Sequence, residues 1–207
     1  MSKESVSYKD VGAFTGRKIF RLLNNEGDSA VRADLAQLRR GIGKLPGEDA
    51  DLWPLVFEDM PEAMYSRNGV PTYAEWAVYH AVTLFALHQQ GKDRKRQPMH
   101  EKGISLGAAV RRLVSSPDDE ARIIRRFNKV LTARTPKETA YHLRGLVELL
   151  KSAAIPLDYA RLAGDLYCLQ IPSLRERIQL AWGQDFYRIP QKKENSIDDN
   201  TSLNPKE

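Results

Sequence analysis

The chain of 207 residues contains a single cysteine, which excludes an internal disulfide and any metal site built from several cysteines. Cys168 lies in the apolar run from Leu166 to Leu169, which favours a buried small hydrophobe over a reactive thiol. The four histidines are dispersed: His80 and His88 lie on one predicted helix without the i, i+4 spacing that brings two metal ligands together. We therefore expect neither a metal site nor a cofactor.

Long apolar runs and catalytic sequence patterns are also missing. No apolar run approaches the roughly 20 residues that span a bilayer, and the N-terminus, MSKESVSYKD, has no apolar segment typical of a secretion signal. This predicts a cytoplasmic protein without a membrane partner. The patterns HExxH, GxxxxGK[ST], GxSxG and GxGxxG do not occur. These absences favour a protein that is not an enzyme.

One acidic pair keeps a metal-dependent nuclease open as a third alternative. Asp118 and Asp119 follow Ser116-Pro117 and fall in the first turn of a predicted helix. Carboxylates at that place interact favourably with the helix dipole, which accounts for the pair without catalysis. A nuclease would require cleavage that depends on both residues.

Positive charge is concentrated in residues 87–134. This stretch holds twelve lysines and arginines against five acids, a net charge of +7, whereas the whole chain carries only +5. Positive charge concentrated in one stretch indicates a polyanionic partner, because neutralising phosphates releases the counterions condensed on them. Composition equally allows an ordinary solvated helix face.

The apolar periodicity predicts an all-α protein of two small helical bundles packed together. The bundles are expected at residues 1–91 and 104–189, joined by a basic loop at 92–103 and followed by a disordered tail at 190–207. The loop, GKDRKRQPMHEKG, is expected to be mobile and to bury nothing. A broad apolar stripe over Thr72 to Gln90 predicts a central helix.

Local signals also predict where several of the C-terminal helices begin. Thr135-Pro136-Lys137-Glu138 combines a capping box with proline at the first helical position. Pro156 is expected to start the next helix, and a second capping box at Ser173 to Glu176 the last one.

One predicted helix separates an apolar face from a cationic face. At the helical rotation per residue, Arg122, Arg125, Arg126 and Lys129 share an arc of about 100°. The residues on its opposite side are Ile123, Ile124, Phe127, Val130 and Leu131. This arrangement predicts a positive surface backed by the core.

Four further cations are candidates for the same surface, two inside the basic stretch and two on the second predicted helix. Arg111 and Arg112 end the run ISLGAAVRR, and Arg39 and Arg40 end the second predicted helix before Gly41, where compensation of the helix dipole explains them as well as binding does. Phe127 is expected to face the core, and Trp182, Phe186 and Tyr187 are expected to form a packed helix face, so the sequence has no clear candidate for base stacking. We therefore predict contact with the sugar-phosphate backbone and binding that tolerates any base sequence.

Several strings, in this order, resemble the CasB family, the small subunit of the type I-E CRISPR Cascade complex. They are GISLG at 103–107, IIRRFNKVLTART at 123–135, AYHLRGLVELLKSAAIPLDYARLAGDLY at 140–167 and AWGQDFY at 181–187. GRKIFRLL and LAQLRRGIGKLPGEDADLWPLVF also fit the family's N-terminal half. The resemblance covers roughly residues 10–189.

This resemblance implies a non-catalytic helical subunit that holds single-stranded DNA, mainly the displaced strand, and so stabilises the R-loop. It implies as partners the backbone and large subunits of Cascade, a second copy of the chain, crRNA and target DNA. Carried onto this sequence, the family's basic surface comprises Arg39, Arg40, Arg125, Arg126 and Arg144. Helical geometry adds Arg111, Arg112, Arg122 and Lys129. The alternative function is a helical adaptor whose basic face docks an acidic protein partner.

Overall fold

The computed structural model describes residues 6–188, which form α-helices, two short 3-10 turns and one isolated β-bridge without a strand. The prediction of an all-α protein is confirmed, while the predicted tail at 190–207 lies outside the described residues. No helix among residues 6–188 is long and apolar enough to cross a membrane. The helices are α1 (Tyr8–Asn24), α2 (Asp28–Arg40), α3 (Trp53–Phe57), α4 (Tyr73–His88), α5 (Leu106–Arg111), α6 (Pro117–Thr132), α7 (Pro136–Ala153), α8 (Tyr159–Leu169) and α9 (Pro172–Tyr187).

Helix α4 is the centre of the molecule. Every residue from Ala74 to His88 is buried, and α1, α2, α7 and α8 all pack against this helix. A capping box sets its start: the Thr72 hydroxyl accepts the Glu75 N–H, and the Glu75 carboxylate accepts the Thr72 N–H at 2.7 Å. The broad apolar stripe in the sequence corresponds to this all-round burial.

Helix α1 lies along α8, so a helix of the N-terminal half packs against a helix of the C-terminal half. A Cβ on Gly164 would come within 2.9 Å of the Tyr8 carbonyl oxygen, and the glycine permits this close approach. Because α8 also packs against α4 and α9, residues from both halves contribute to one apolar cluster. The division into two bundles at residues 92–103 stays a prediction.

The segment between α4 and α5 differs from the sequence-based expectation. The prediction that it buries nothing is wrong, because Met99 is buried and its N–H donates to Gln89 Oε1 at 2.8 Å. The Leu157 N–H donates to the Met99 carbonyl at 3.2 Å, and His100 and Leu157 form the β-bridge. The Arg94 guanidinium donates to the Leu23 carbonyl at the end of α1. The basic loop is therefore tied to three parts of the fold.

Two predicted helix starts are wrong. Helix α8 begins at Tyr159 after the N-cap Asp158, because Leu157 is held in the β-bridge and Pro156 lies before the helix. Helix α9 begins at Pro172 without a side-chain cap, so the predicted box at Ser173 does not form. The proline occupies the first helical position, where its missing N–H costs nothing.

Candidate nucleic-acid interface

Helices α6 and α7 pack side by side, and their solvent-facing sides line an open cleft of about 580 Å³. We call it the α6–α7 cleft. The cations that line it are exposed: Arg122, Arg125, Arg126 and Lys129 from α6, and Arg144 from α7. The structure thus brings together five of the predicted interface residues. Arg144 is among them although, in the sequence, the turn between α6 and α7 lies between it and the four cations of α6.

The two faces of α6 are arranged as the helical geometry predicted. Ile123, Phe127 and Val130 are buried, and the Phe127 ring stacks on Phe186 of α9 with a centroid distance of 5.4 Å. Ser116 caps the helix by accepting the Asp119 N–H. The apolar face therefore holds α6 against the C-terminal core, and the cations are presented from a fixed element.

Much of the positive charge in the α6–α7 cleft is uncompensated. Among residues 6–188, Arg125, Arg126 and Lys129 form no ion pair with a carboxylate. Arg122 pairs with Asp119 at 2.6 Å and Arg144 with Glu148 at 3.1 Å. Exposed pairs of this kind are weak, at about 0–1 kcal/mol. Both arginines are therefore able to exchange their partners for a phosphate at little cost.

Arg39 and Arg40 lie away from that cleft. Arg39 lines a second cleft of about 440 Å³ between α2 and the segment after α4, together with Lys92, Arg94 and Lys95. Its partial burial lowers the pKa of the guanidinium from the ordinary value, although arginine remains protonated in proteins. Arg40 is exposed at the end of α2.

Arg111 and Arg112 form a third group at the end of α5. Arg111 pairs with Glu120 at 2.8 Å, and its guanidinium lies over the Phe186 ring at 5.7 Å. These contacts join α5 to α6 and α9. Arg112 is exposed and caps α5. Neither side chain lines the α6–α7 cleft.

Tyr141 is an interface candidate that sequence reasoning missed. Tyr141 is 75% exposed and lines the α6–α7 cleft beside His142 and Arg144. The spacing from Tyr141 to Arg144 was the available signal, because residues three apart share one face of a helix. The sequence-based prediction names no stacking candidate anywhere in the chain, so Tyr141 is an addition to it.

The acidic pair at the start of α6 is the part of the sequence that kept a metal-dependent nuclease open. No group of three or more histidine, cysteine, aspartate or glutamate side chains is placed to hold a metal ion within residues 6–188. The Asp119 carboxylate accepts hydrogen bonds from Ser115 at 2.5 Å and from Arg122 at 2.6 Å, and these bonds lower the pKa of Asp119. These contacts place Asp119 in the N-terminal cap of α6, where its N–H donates to the Ser116 hydroxyl.

The fold and the cleft define a class of protein, an all-α protein that presents an open cationic surface. The family model of CRISPR-associated protein Cse2 matches residues 34–187. The chain belongs to this family, the CasB (Cse2) family of the type I-E CRISPR Cascade complex, whose members are structural subunits of that complex.

Solved CasB structures share the fold over nearly their whole length. The crystal structure of CasB from Thermobifida fusca has 34% sequence identity and a TM-score of 0.72, and the match covers 89% of this chain and 100% of that one. CasB from Thermus thermophilus has 26% identity and a TM-score of 0.62, with 84% and 97% covered. CasB from M. ruber has 26% identity and a TM-score of 0.59, with 82% and 90% covered. No curated protein matches the chain.

Proposed function

We propose that this chain is a non-catalytic subunit that holds single-stranded DNA, mainly the displaced strand of the R-loop, along the α6–α7 cleft. The supporting observation is the convergence in one open cleft of Arg125, Arg126 and Lys129, which have no carboxylate partner among residues 6–188. Such a surface suits a chain of phosphates, because each contact releases condensed counterions. Crossing from α6 to Arg144 on α7 gives the strand a path over two fixed helices.

The partners under this proposal are the backbone and large subunits of Cascade, a second copy of the chain, crRNA and target DNA. Arg39, Arg40, Arg111 and Arg112 belong to the proposed basic surface outside the α6–α7 cleft. Phosphate contacts fix the position of a strand without reading its bases. Binding should therefore vary little between base sequences.

Charge reversal in the cleft tests this function. We expect the double variant Arg125→Glu/Arg126→Glu to lose at least tenfold in affinity for a single-stranded oligonucleotide at physiological salt and to shorten the lifetime of the R-loop in the reconstituted complex. The slope of log affinity against log salt should fall by about 0.7 for each phosphate that the variant no longer neutralises. Fluorescence anisotropy over a salt series measures both the affinity and the slope.

A matched control separates the cleft from net charge alone. Arg17→Glu/Arg67→Glu changes the net charge equally at two positions outside the α6–α7 cleft. We expect this control to retain most of the affinity, and circular dichroism should show the same helix content in all three proteins. Wild-type affinity in the α6 double variant would overturn the proposed function.

A second candidate function is the helical adaptor, which one observation favours. A groove of about 850 Å³ between α1, α8 and α9 is lined by apolar side chains and by the cations Lys9, Lys102, Arg161 and Arg177. The lining also includes Asp165, and Arg161 pairs with Asp185 at 2.9 Å. Apolar area bordered by more cations than acids fits an acidic protein segment. Competition distinguishes the two functions, since single-stranded DNA should not displace a protein partner that binds this groove.

A further inference from the structure

The α6–α7 cleft borders a smaller cavity on the side of α7 that faces α4. This cavity measures about 100 Å³ and shares Tyr141 and Arg144 with the cleft. Trp76, His80, Thr83 and Leu84 of α4 form one wall, α7 forms another, and residues 42–45 close the third side. We call it the α4–α7 cavity. Its volume is below the roughly 300–1,000 Å³ of sites for drug-sized ligands, so it suits a single planar ring.

The wall from α4 is aromatic and uncharged. The Trp76 and His80 rings lie 3.7 Å apart between centroids and are tilted by 43°. Burial lowers the pKa of His80 to about 3, so its imidazole is neutral at physiological pH. His80 Nε2 has no hydrogen-bond partner among residues 6–188. An uncharged wall of this kind suits a heterocycle better than it suits a phosphate.

The rim of the cavity carries an exposed aromatic ring beside cations. Lys137, Tyr141 and Arg144 lie on one side of α7, because positions four and three residues apart are neighbours on a helix. Within the described chain, the aromatic partner of Tyr141 is His142 alone, at 5.2 Å and edge-on. Tyr141 is 75% exposed, so its ring is accessible to a ligand that also contacts Arg144.

We propose that Tyr141 stacks on one unpaired base of the bound strand and directs it toward the α4–α7 cavity, while the adjoining phosphates lie on Arg144 and in the α6–α7 cleft. The proposal rests on the proposed function and adds a subsite for a nucleobase. Aromatic stacking tolerates every base, because each has a π-face. A base in a duplex is already stacked and paired, so this subsite would favour single strands over duplex.

Replacement of the exposed ring tests the subsite in the full-length protein. With a single-stranded oligonucleotide of mixed sequence, we expect Tyr141→Ala to lose about 5- to 150-fold in affinity, the range expected for one stacked base. Tyr141→Phe keeps the ring and should bind within about twofold of wild type. The salt slope should not change, because neither variant removes a charge. Duplex of the same sequence should bind all three proteins equally.

The control is Tyr73→Ala, which removes a ring that is 50% exposed and lines neither the cleft nor the cavity. It should bind single strands like wild type, and thermal unfolding should confirm that each variant is folded. Photocrosslinking of an oligonucleotide containing 5-iodouracil should recover a peptide that includes Tyr141. Recovery only of peptides lacking Tyr141 would overturn the subsite.

The outcomes distinguish this proposal from the function on which it rests. Wild-type binding by Tyr141→Ala, together with loss in Arg125→Glu/Arg126→Glu, overturns the stacking subsite and leaves the cationic cleft in place. Equal losses of Tyr141→Ala on single strand and duplex also overturn the subsite, since selectivity for unpaired bases would be missing. Wild-type binding by the arginine double variant overturns the proposed function itself.

Discussion

At the scale of single residues, two buried histidines link the stability of the protein to pH. Burial lowers the pKa of His80 to about 3 and that of His88 to about 4. In an unfolded chain each would titrate near about 6.5. Between these values the unfolded state binds more protons than the folded state, so the free energy of unfolding decreases as pH falls from about 6.5 toward 4.

Asp165 opposes this trend in part of the same range. Its carboxylate accepts a hydrogen bond from Trp182 Nε1 at 2.7 Å, yet burial raises the pKa of Asp165 to about 6. Here the folded state binds the proton more tightly than the unfolded state, so protonation below about pH 6 favours folding. The two histidines outweigh Asp165 because the sum of their pKa displacements from the unfolded values is larger than the displacement of the Asp165 pKa.

We predict that His88→Gln weakens the acid sensitivity of the protein. The displacement of the His88 pKa corresponds to about 3 kcal/mol of stability lost between neutral pH and pH 4, and the amide does not titrate. Urea unfolding at several pH values between about 7 and 4 measures how steeply the free energy of unfolding changes with pH. This slope is compared, and not the stability at one pH, because the variant also changes the hydrogen bond between His88 and Tyr159.

His142→Gln serves as the comparison for that experiment, because it removes a more exposed histidine on the surface of α7. Its stability should follow the pH dependence of the wild type. An unchanged slope in His88→Gln would show that the buried imidazole does not determine the acid sensitivity.

At the scale of elements, the crossing of α5 and α9 depends on a glycine. A Cβ on Gly107 would overlap the carbonyl oxygen of Trp182 and lie 2.9 Å from its carbonyl carbon and 3.0 Å from the Phe186 nitrogen. These are backbone atoms of α9, so they cannot move aside as a side chain can. Trp182 and Phe186 are themselves fully buried, which fixes α9 in place.

We predict that Gly107→Ala destabilises the protein by about 1–3 kcal/mol, the usual cost of overpacking a core. Gly183→Ala on α9 is the matched control, because its Cβ would meet no atom within 4 Å. Better helix propensity should stabilise this control by about 1 kcal/mol. Urea unfolding compares both with wild type, and equal stability of Gly107→Ala and wild type would refute the close crossing.

At the scale of the whole molecule, the proposed cationic residues are divided between separate surfaces. Arg39 faces the cleft between α2 and the segment after α4, while Arg125 and Arg126 face the α6–α7 cleft. A strand that follows the basic surface would touch both. The alternative is that Arg39 and Arg40 only compensate the dipole at the end of α2.

We predict that Arg39→Glu/Arg40→Glu weakens binding of a long single strand and that its effect adds to that of Arg125→Glu/Arg126→Glu. The two arginine pairs lie on separate surfaces and would contact different phosphates of the strand, so their effects on the binding free energy should add within about 0.5 kcal/mol. Titration of the two double variants and their combination, with one oligonucleotide at one salt concentration, checks this. A combined variant no weaker than the α6 variant would assign Arg39 and Arg40 to helix capping.

The sequence by itself determined the helical fold class, the starts of α6 and α7 and the two faces of α6. These features depend on local signals: the apolar period of a helix, and the caps at Ser116 and Thr135. The order of several longer strings also indicated the CasB family, which the match over residues 34–187 confirms.

Only the tertiary structure decided which side chains meet. It placed Arg144 in one cleft with the α6 cations and Arg39 in another, joined Arg111 to Glu120, and set Tyr141 between the cationic cleft and a cavity lined by α4. It also buried Met99 within a loop that has a polar sequence. Periodicity defines the faces of a helix but not its neighbours, because these are chosen by packing between residues far apart in the chain.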